Sequence, residues 1–402
     1  MYRPSKRLGV TAVGVAGVLV VAGCGGSSTK SSTPSSSAEP SAPALTATSF
    51  TTDFAAMKQL SGLASSGKGK IGILLPETTT SARYTAFDAP YLKKALESAG
   101  LTSSDFTITN AQGSDATQQT QAEAAMTAGA TVLILDPIDK GVGKTIESAA
   151  KAKGVKVIDY DRLTLGGTRD YYVSFDNVKV GQLIGQGFVD CVTAWNVAKP
   201  NVLVMRGDPT DNNATLFAEG YNGVLKQYFD SGKYVKVGEP AGTWDPPTAA
   251  TTFQQQYTAH RNINSVVMPN DANAAAVISV LKTLRTKPQT FPTTGQDAQV
   301  SGLQNILSGY QCGTVYKPIQ IEAQAAAALA LYLRANVTPP DGLVNGKTAD
   351  TDAKSDVPST LLTPLWVTTK NMADTVIKDG AVKVSDVCTA ALKSACTAAG
   401  IS

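Results

Sequence analysis

A chain of 402 residues, 43% hydrophobic and 17% charged, is too long for one ordinary core and too apolar to stay disordered, so two globular domains are expected. The single histidine, His260, nearly excludes histidine-based metal sites and histidine-driven acid–base chemistry. The formal charge of +3 falls to zero without residues 1–23, which hold Arg3, Lys6, Arg7 and no acid; a neutral chain has no general pull toward nucleic acid or anionic lipid.

Those first residues read as a leader. A basic start is followed by an apolar run, residues 8–21, too short for the ~20 residues of a membrane span. Small residues then precede Cys24 in "VAGC", which matches the lipobox of bacterial lipoproteins, with Cys24 as the lipidated N-terminus of the mature chain. The alternative is an ordinary signal peptide with an incidental cysteine. Residues 24–65 begin with a Ser/Thr/Pro/Ala tract that cannot bury a core and are expected to form a tether. Anchor and tether together imply the outer face of the cytoplasmic membrane.

From Lys70 onward, apolar strands alternate with amphipathic helices. Strands are expected at "KIGILL" (Lys70–Leu75), 105–109, 131–135 and 155–160. Helices fall at 89–100, 115–129 and 143–153. The rhythm restarts with a helix at 179–196, a strand at 201–205 and a helix at 213–229. It continues with a strand at 234–239, a helix at 248–260 and a strand at 265–268. Helices at 272–287 and 299–308, a strand at 313–317 and a long Ala-rich helix at 319–335 complete it. This pattern predicts two α/β units, each a doubly wound parallel sheet. No Gly-rich phosphate loop follows the first strand, and neither GxSxG nor a metal-spaced cysteine cluster occurs; no metal, cofactor or catalytic residue is expected.

Beyond Cys24 four cysteines remain: Cys191, Cys312, Cys388 and Cys396. In an oxidising compartment an even number suggests disulfides. Three pairings are open. The closeness of Cys388 to Cys396 favours a local bridge there, leaving Cys191 with Cys312; buried free thiols are the alternative.

Ligands of open parallel sheets bind beyond the carboxyl ends of the strands. At those ends stand Arg83 and Tyr84, Asp161 and Arg162, Asn213 in "RGDPTDNNA", Trp244 in "GTWDPP", Asn270 in "PNDA", Asp297 in "GQDA", and Lys317. The set holds carboxylates, amides, cations and aromatics. A buried sugar needs such groups, because each hydroxyl both donates and accepts. Arginine can span two adjacent hydroxyls, and the C–H faces of the ring pack on aromatics. Each residue also has a plain structural reading. The pair Asp161–Arg162 could be a surface ion pair, Lys317 a solvated lysine, Trp244 packing, and "TDNNA" a helix cap in which Asp211 or Asn212 caps while Asn213 faces a ligand.

The motifs "YDR", "YVSFDNVKVG", "DNNATLF", "DSGK", "NDA", "GQDA", "TVYKPI", "DVPSTLLTP" and "DTVIKDG" occur in this order between about residues 70 and 380. Together they resemble the xylose-binding branch of the periplasmic sugar-binding family of bacterial ABC transporters, with the ribose-binder fold. Tyr84 stands where those proteins carry a tryptophan. The resemblance implies an α/β fold of two doubly wound parallel-sheet domains, joined by a three-crossover hinge with the ligand cleft between them. It places crossings near 174–177, Lys317 and 347–352. One domain then takes 66–174 plus 318–347, the other 177–316 plus 352–386, and residues 387–402 form a cysteine-containing tail. It further implies that Arg83, Tyr84, Asp161, Arg162, Asn213, Trp244, Asn270, Asp297 and Lys317 contact a monosaccharide, and that a monomeric receptor passes it to a permease with a cytoplasmic ATPase. Two other readings remain: a sensory module reporting sugar to a signalling partner, and a secreted glycosidase using Asp161 and Asp297.

Overall fold

The computed structural model describes residues 42–78 and 83–401. The leader, Cys24 and the first part of the tether lie outside the described residues, as does part of the loop after the first strand.

The first lobe is built on a seven-stranded sheet. Its central strands are β1 (Lys70–Leu75), β2 (Phe106–Asn110), β3 (Ala130–Leu135), β4 (Lys156–Tyr160) and β5 (Tyr171–Phe175). They are parallel and lie in the order β5-β4-β3-β1-β2. After Lys70 every residue of β1 is buried, as a strand covered on both faces must be. Ile134 pairs with Ile73 on one side and Ile158 on the other. The crossovers are α2 (Ala89–Ser98), α3 (Asp115–Thr127) and α4 (Lys140–Ala152), preceded by a short α1 (Ser61–Ser66). Asp139 caps α4 by accepting from Gly141 N at 2.6 Å and Val142 N at 3.0 Å, which starts the helix at the end of the loop that follows β3.

The second lobe repeats the plan with α5 (Asn177–Ala194), β6 (Asn201–Val204), α6 (Asn212–Asp230), β7 (Val235–Gly238), α7 (Pro246–Ala259), β8 (Ser265–Val267), α8 (Asp271–Thr283), α9 (Val300–Leu307) and β9 (Thr314–Tyr316). Strands β7, β6 and β8 form a parallel sheet. Single bridges, Val266 to Thr293 and Gln296 to Val315, extend it toward β9. The chain then returns to the first lobe as α10 (Ile319–Arg334).

Three features depart from the sequence reading. First, the tether is expected to run to residue 65, yet Leu45, Phe50, Phe54, Met57 and Leu60 are buried in one cluster with Ala323–Tyr332 residues of α10. A helix that is apolar all round needs cover on every side; the sheet supplies one side and residues 45–60 another. Gln324 Nε2 donates to Thr51 O at 2.8 Å, and Tyr332 Oη to Pro43 O. The low-complexity tract masked these apolar residues.

Second, β5 and a hairpin of β10 (Gly346–Asp350) and β11 (Ser355–Leu362) were not expected as strands. β10 pairs antiparallel with β11, and β11 runs parallel to β5. The expected third crossing at 347–352 is therefore displaced: the chain leaves the first sheet only after Leu362, when β12 (Leu365–Val367) pairs with β9. β10 was hard to see because an edge strand with one exposed face carries few apolar residues. Third, the cysteine-containing tail, residues 387–402, packs into the core of the second lobe. Val387, Cys396 and Ile401 are buried with Leu303, Met372 and Val376 of the second lobe.

Cys191 is bridged to Cys312 and Cys388 to Cys396, with Cα separations of 5.7 and 6.0 Å. Among the described residues no helix is long and apolar enough to cross a membrane.

Phe54 is 1% exposed. Replacing it with alanine is expected to lower stability by about 3–5 kcal/mol through the cavity left where its ring meets Tyr91 and Lys94 of α2. Equilibrium urea unfolding measures this; a change under ~0.5 kcal/mol would mean that residues 45–60 are not part of the core.

Candidate functional site

The end of β4 sets the geometry of the site. Tyr160 is the last strand residue, and Arg162 N donates back to Tyr160 O at 2.6 Å, closing a tight turn around Asp161, whose φ is 58°. This left-handed conformation is unfavourable for a non-glycine residue. It is held because the Asp161 carbonyl accepts from Tyr172 Oη at 2.8 Å, Ser174 Oγ at 3.0 Å and Asn213 Nδ2 at 2.8 Å. The turn sends the adjacent acid and base in different directions.

The Asp161 carboxylate meets Arg83 Nη1 at 2.7 Å, Tyr84 Oη at 3.3 Å and Lys317 Nζ at 3.9 Å. Burial would raise its pKa, but the charges of Arg83, Lys317 and Arg162 and the Tyr84 hydroxyl outweigh burial and hold it below the usual carboxylate range. Arg162 points the other way. Its Nε lies 3.8 Å from Asp136 and 3.6 Å from Asp211, and Nη1 donates to Ile138 O at 3.2 Å.

Arg83 is fixed from behind. Nε and Nη2 donate to the two oxygens of Asp88 at 2.9 and 2.7 Å, and Nη2 also to Glu322 Oε2 at 2.8 Å. Tyr160 Oη donates to Asp88 at 2.5 Å. Tyr84 lies between the guanidinium groups of Arg83 and Arg162, each 5.5 Å from the ring centroid, a cation–π arrangement that fixes the ring.

The second lobe supplies the facing wall. Asp211 caps α6 through Asn213 N at 2.9 Å, and its other oxygen accepts from Trp244 Nε1 at 3.0 Å. Trp244 meets Phe217 edge-on, with centroids 6.5 Å apart. Gly207 permits this: a Cβ there would lie 2.1 Å from the indole ring. Asn270 caps α8 through Asn273 N at 3.0 Å. Asp297, with φ 89°, faces Lys317 at 3.2 Å.

These residues line one cleft between the lobes, whose empty space counted out to open solvent is about 390 Å³. All nine residues singled out in the sequence line it: Arg83, Tyr84, Asp161, Arg162, Asn213, Trp244, Asn270, Asp297 and Lys317. Asn213 is heavily committed, since Oδ1 accepts from Asn177 Nδ2 at 2.8 Å and shares with the Asp161 carbonyl the one proton of Tyr172 Oη, 3.1 Å away, while Nδ2 holds that carbonyl. It clasps the two lobes beside the cavity.

Asp211, Phe217 and Gln296 also line the cavity and were missed as site residues. The sequence offers Asp211 or Asn212 as the cap of α6, and Asp211 is the residue that caps it. Phe217 is four residues after Asn213 on α6, hence on the same face. Gln296 sits inside the quoted "GQDA". Asp136, fully buried behind Arg162, follows β3 directly, so the strand-end rule could have found it. Neither of its oxygens has a hydrogen-bond partner among the described residues, and burial raises its pKa well above the usual range. Among the described residues no group of acidic, histidine or cysteine side chains could hold a metal.

The sequence matches the periplasmic binding protein domain model over residues 71–336. It is 38% identical over 282 residues to the D-xylose-binding periplasmic protein of Escherichia coli, covering 70% of this chain and 82% of that protein. It is 34% identical over 339 residues to the multiple sugar-binding periplasmic receptor of Rhizobium radiobacter, covering 80% and 92%. The fold superposes on an ABC transporter solute-binding protein from Clostridium phytofermentans with bound β-D-glucose, with a TM-score of 0.71 and 26% identity, over 79% of this chain and 99% of that one. A paired α/β architecture with its cavity between the lobes, matched by sequence over most of its length, makes this chain a member of the periplasmic binding protein family.

Proposed function

We propose that the chain is an extracytoplasmic receptor for a pentose or similar aldose, with D-xylose the first candidate, and that it delivers the sugar to an ABC permease powered by a cytoplasmic ATPase. The cleft carries this reading. Asp161 and Asp297 offer acceptors, Arg162 and Lys317 offer donors, and the aromatic pair Trp244–Phe217 offers a surface for ring C–H groups. The relatives named for D-xylose and multiple-sugar binding support the substrate class.

No chemistry on the ligand is required. The lobes close around the sugar, and binding shifts the open–closed equilibrium by as much as the sugar prefers the closed form. Asp161, kept ionised by Arg83, suits accepting hydroxyl protons and not protonating a glycosidic oxygen, which a glycosidase needs from one of its two carboxyls. We further propose that the leader ends in a lipidated Cys24, tethering a monomer to the outer face of the cytoplasmic membrane.

Calorimetric titration with a monosaccharide panel tests the substrate class: an aldopentose is expected to bind without turnover, and binding by no sugar would sink the reading. Arg162→Lys keeps the charge and loses the planar fork. Charge-assisted hydrogen bonds contribute about 1.5–3 kcal/mol each, so the affinity for the bound sugar is expected to fall at least ~10-fold. An unchanged affinity would remove Arg162 from the site. Cys24→Ala should move the protein from the membrane pellet to the soluble fraction; retention in the pellet after a high-salt wash would refute the anchor.

A further inference from the structure

The chain passes between the lobes at residues 175–177, 317–319 and 362–365. At two of these crossings neighbouring residues face opposite ways. Ser174 Oγ donates to the Asp161 carbonyl on the cleft side at 3.0 Å, while Phe175 lines a separate pocket. Lys317 lines the cleft and Pro318 that pocket. The crossings therefore form a layer between cleft and pocket, which share no residue.

The far wall of the pocket is the segment that precedes α1. Ala47, Thr48 and Phe50 line it together with Phe175, Pro318 and Leu362, one residue from each crossing. The segment is fastened to the first lobe. Ala47 N donates to Gly342 O at 2.9 Å and Gln324 Nε2 to Thr51 O at 2.8 Å, and Leu45 and Phe50 are buried in the first lobe's core. Ala47, between them, belongs instead to the apolar cluster of the second lobe, with Phe175, Val180, Ile184 and Leu362. Residues 45–50 thus reach from one core to the other behind all three crossings.

Lobes that turn about the crossings widen one side of that layer as they narrow the other. In this structure the lobes meet across the cleft, where Asn213 Nδ2 donates to the Asp161 carbonyl at 2.8 Å. The empty space beside residues 47–50, counted out to open solvent, is about 600 Å³. Opening the cleft would close that space onto the segment.

We propose that residues 45–50 are a strap behind the hinge that resists opening and so favours the closed form. This rests on the sugar-receptor reading and gives a part in it to a segment that lies before the family match at residues 71–336. A receptor whose competent form is only partly populated binds every ligand more weakly by that same fraction. The strap therefore sets affinity without touching the sugar, and leaves the choice among sugars unchanged.

The test is calorimetry of the purified full chain with D-xylose, D-glucose and the other sugars of the panel. Ala47→Asp puts a charge into the apolar cluster and lifts the strap, while Leu45, Phe50 and Phe54 keep the segment attached. Thr48→Phe, at an exposed position, fills the space behind the hinge. Ala47→Asp is expected to weaken all bound sugars by one common factor, ~10-fold, and Thr48→Phe to tighten them by one common factor, ~3-fold. A folded Ala47→Asp protein that binds as wild type would overturn the proposal. So would factors that differ from sugar to sugar, because the cleft itself would then be altered. If circular dichroism shows Ala47→Asp unfolded, Thr48→Phe decides alone, and binding no tighter than wild type overturns the strap. Failure of wild type to bind any sugar would strike the receptor reading separately. X-ray scattering of the ligand-free chain then tests the strap by itself: a smaller radius of gyration in Thr48→Phe than in wild type supports it, and an equal one overturns it.

Discussion

The carbonyl oxygen of Asp161 holds the site together. Three side-chain donors converge on it, from Tyr172, Ser174 and Asn213, and they stabilise a left-handed backbone conformation that is less favourable for a residue with a side chain than the right-handed or extended one. A strand that ended without this turn would send Asp161 and Arg162 to opposite faces of the sheet in the ordinary alternation. With the turn, the acid reaches Arg83 and Lys317 while the base reaches Asp136 and Asp211. The same carbonyl ties the lobes together, because Asn213 belongs to α6 of the second lobe. One backbone group therefore links site geometry to lobe closure.

Around this turn the fold supplies rigidity where the site needs it. Arg83 is pinned by Asp88 and Glu322, from opposite ends of the sequence, and α10, which carries Glu322, is buried almost completely. Residues 45–60 complete that burial. Ala47 and Phe50 also share a second pocket with Phe175, Pro318 and Leu362, residues at or beside the places where the chain passes between lobes. The segment that leads into the first domain thus packs against the crossings, on residues separate from those that line the cleft between the lobes.

Much of this was legible in the sequence. The alternation of strands and helices from Lys70 to α10 reflects hydrophobic period, which is a local property. The strand-end residues were legible because fold geometry aims them at one place. What failed was what depends on partners far along the chain. Residues 45–60 looked like linker because Leu45, Phe50 and Phe54 are spaced among Ser and Thr, and only the distant helices α2 and α10 give them a role. The hairpin β10–β11 was hidden by its polar edge strand and by β5, the unforeseen strand it pairs with. Asp211 was seen as a cap, and its second bond, to Trp244, could not be read from spacing. Asn213 was expected to serve a ligand; its amide is spent largely on Asp161, Tyr172 and Asn177.

The most direct test of this arrangement is a crystal structure of the protein with D-xylose. The expected electron density places the pyranose between the Asp161–Arg162 turn and the Trp244–Phe217 face, with Arg162 and Asp161 within hydrogen-bond distance of its hydroxyls and the Asp161 carbonyl still bound by Tyr172, Ser174 and Asn213. A sugar bound elsewhere, or a ligand-bound cleft in which Asp161 has left the turn, would contradict the role given to that residue.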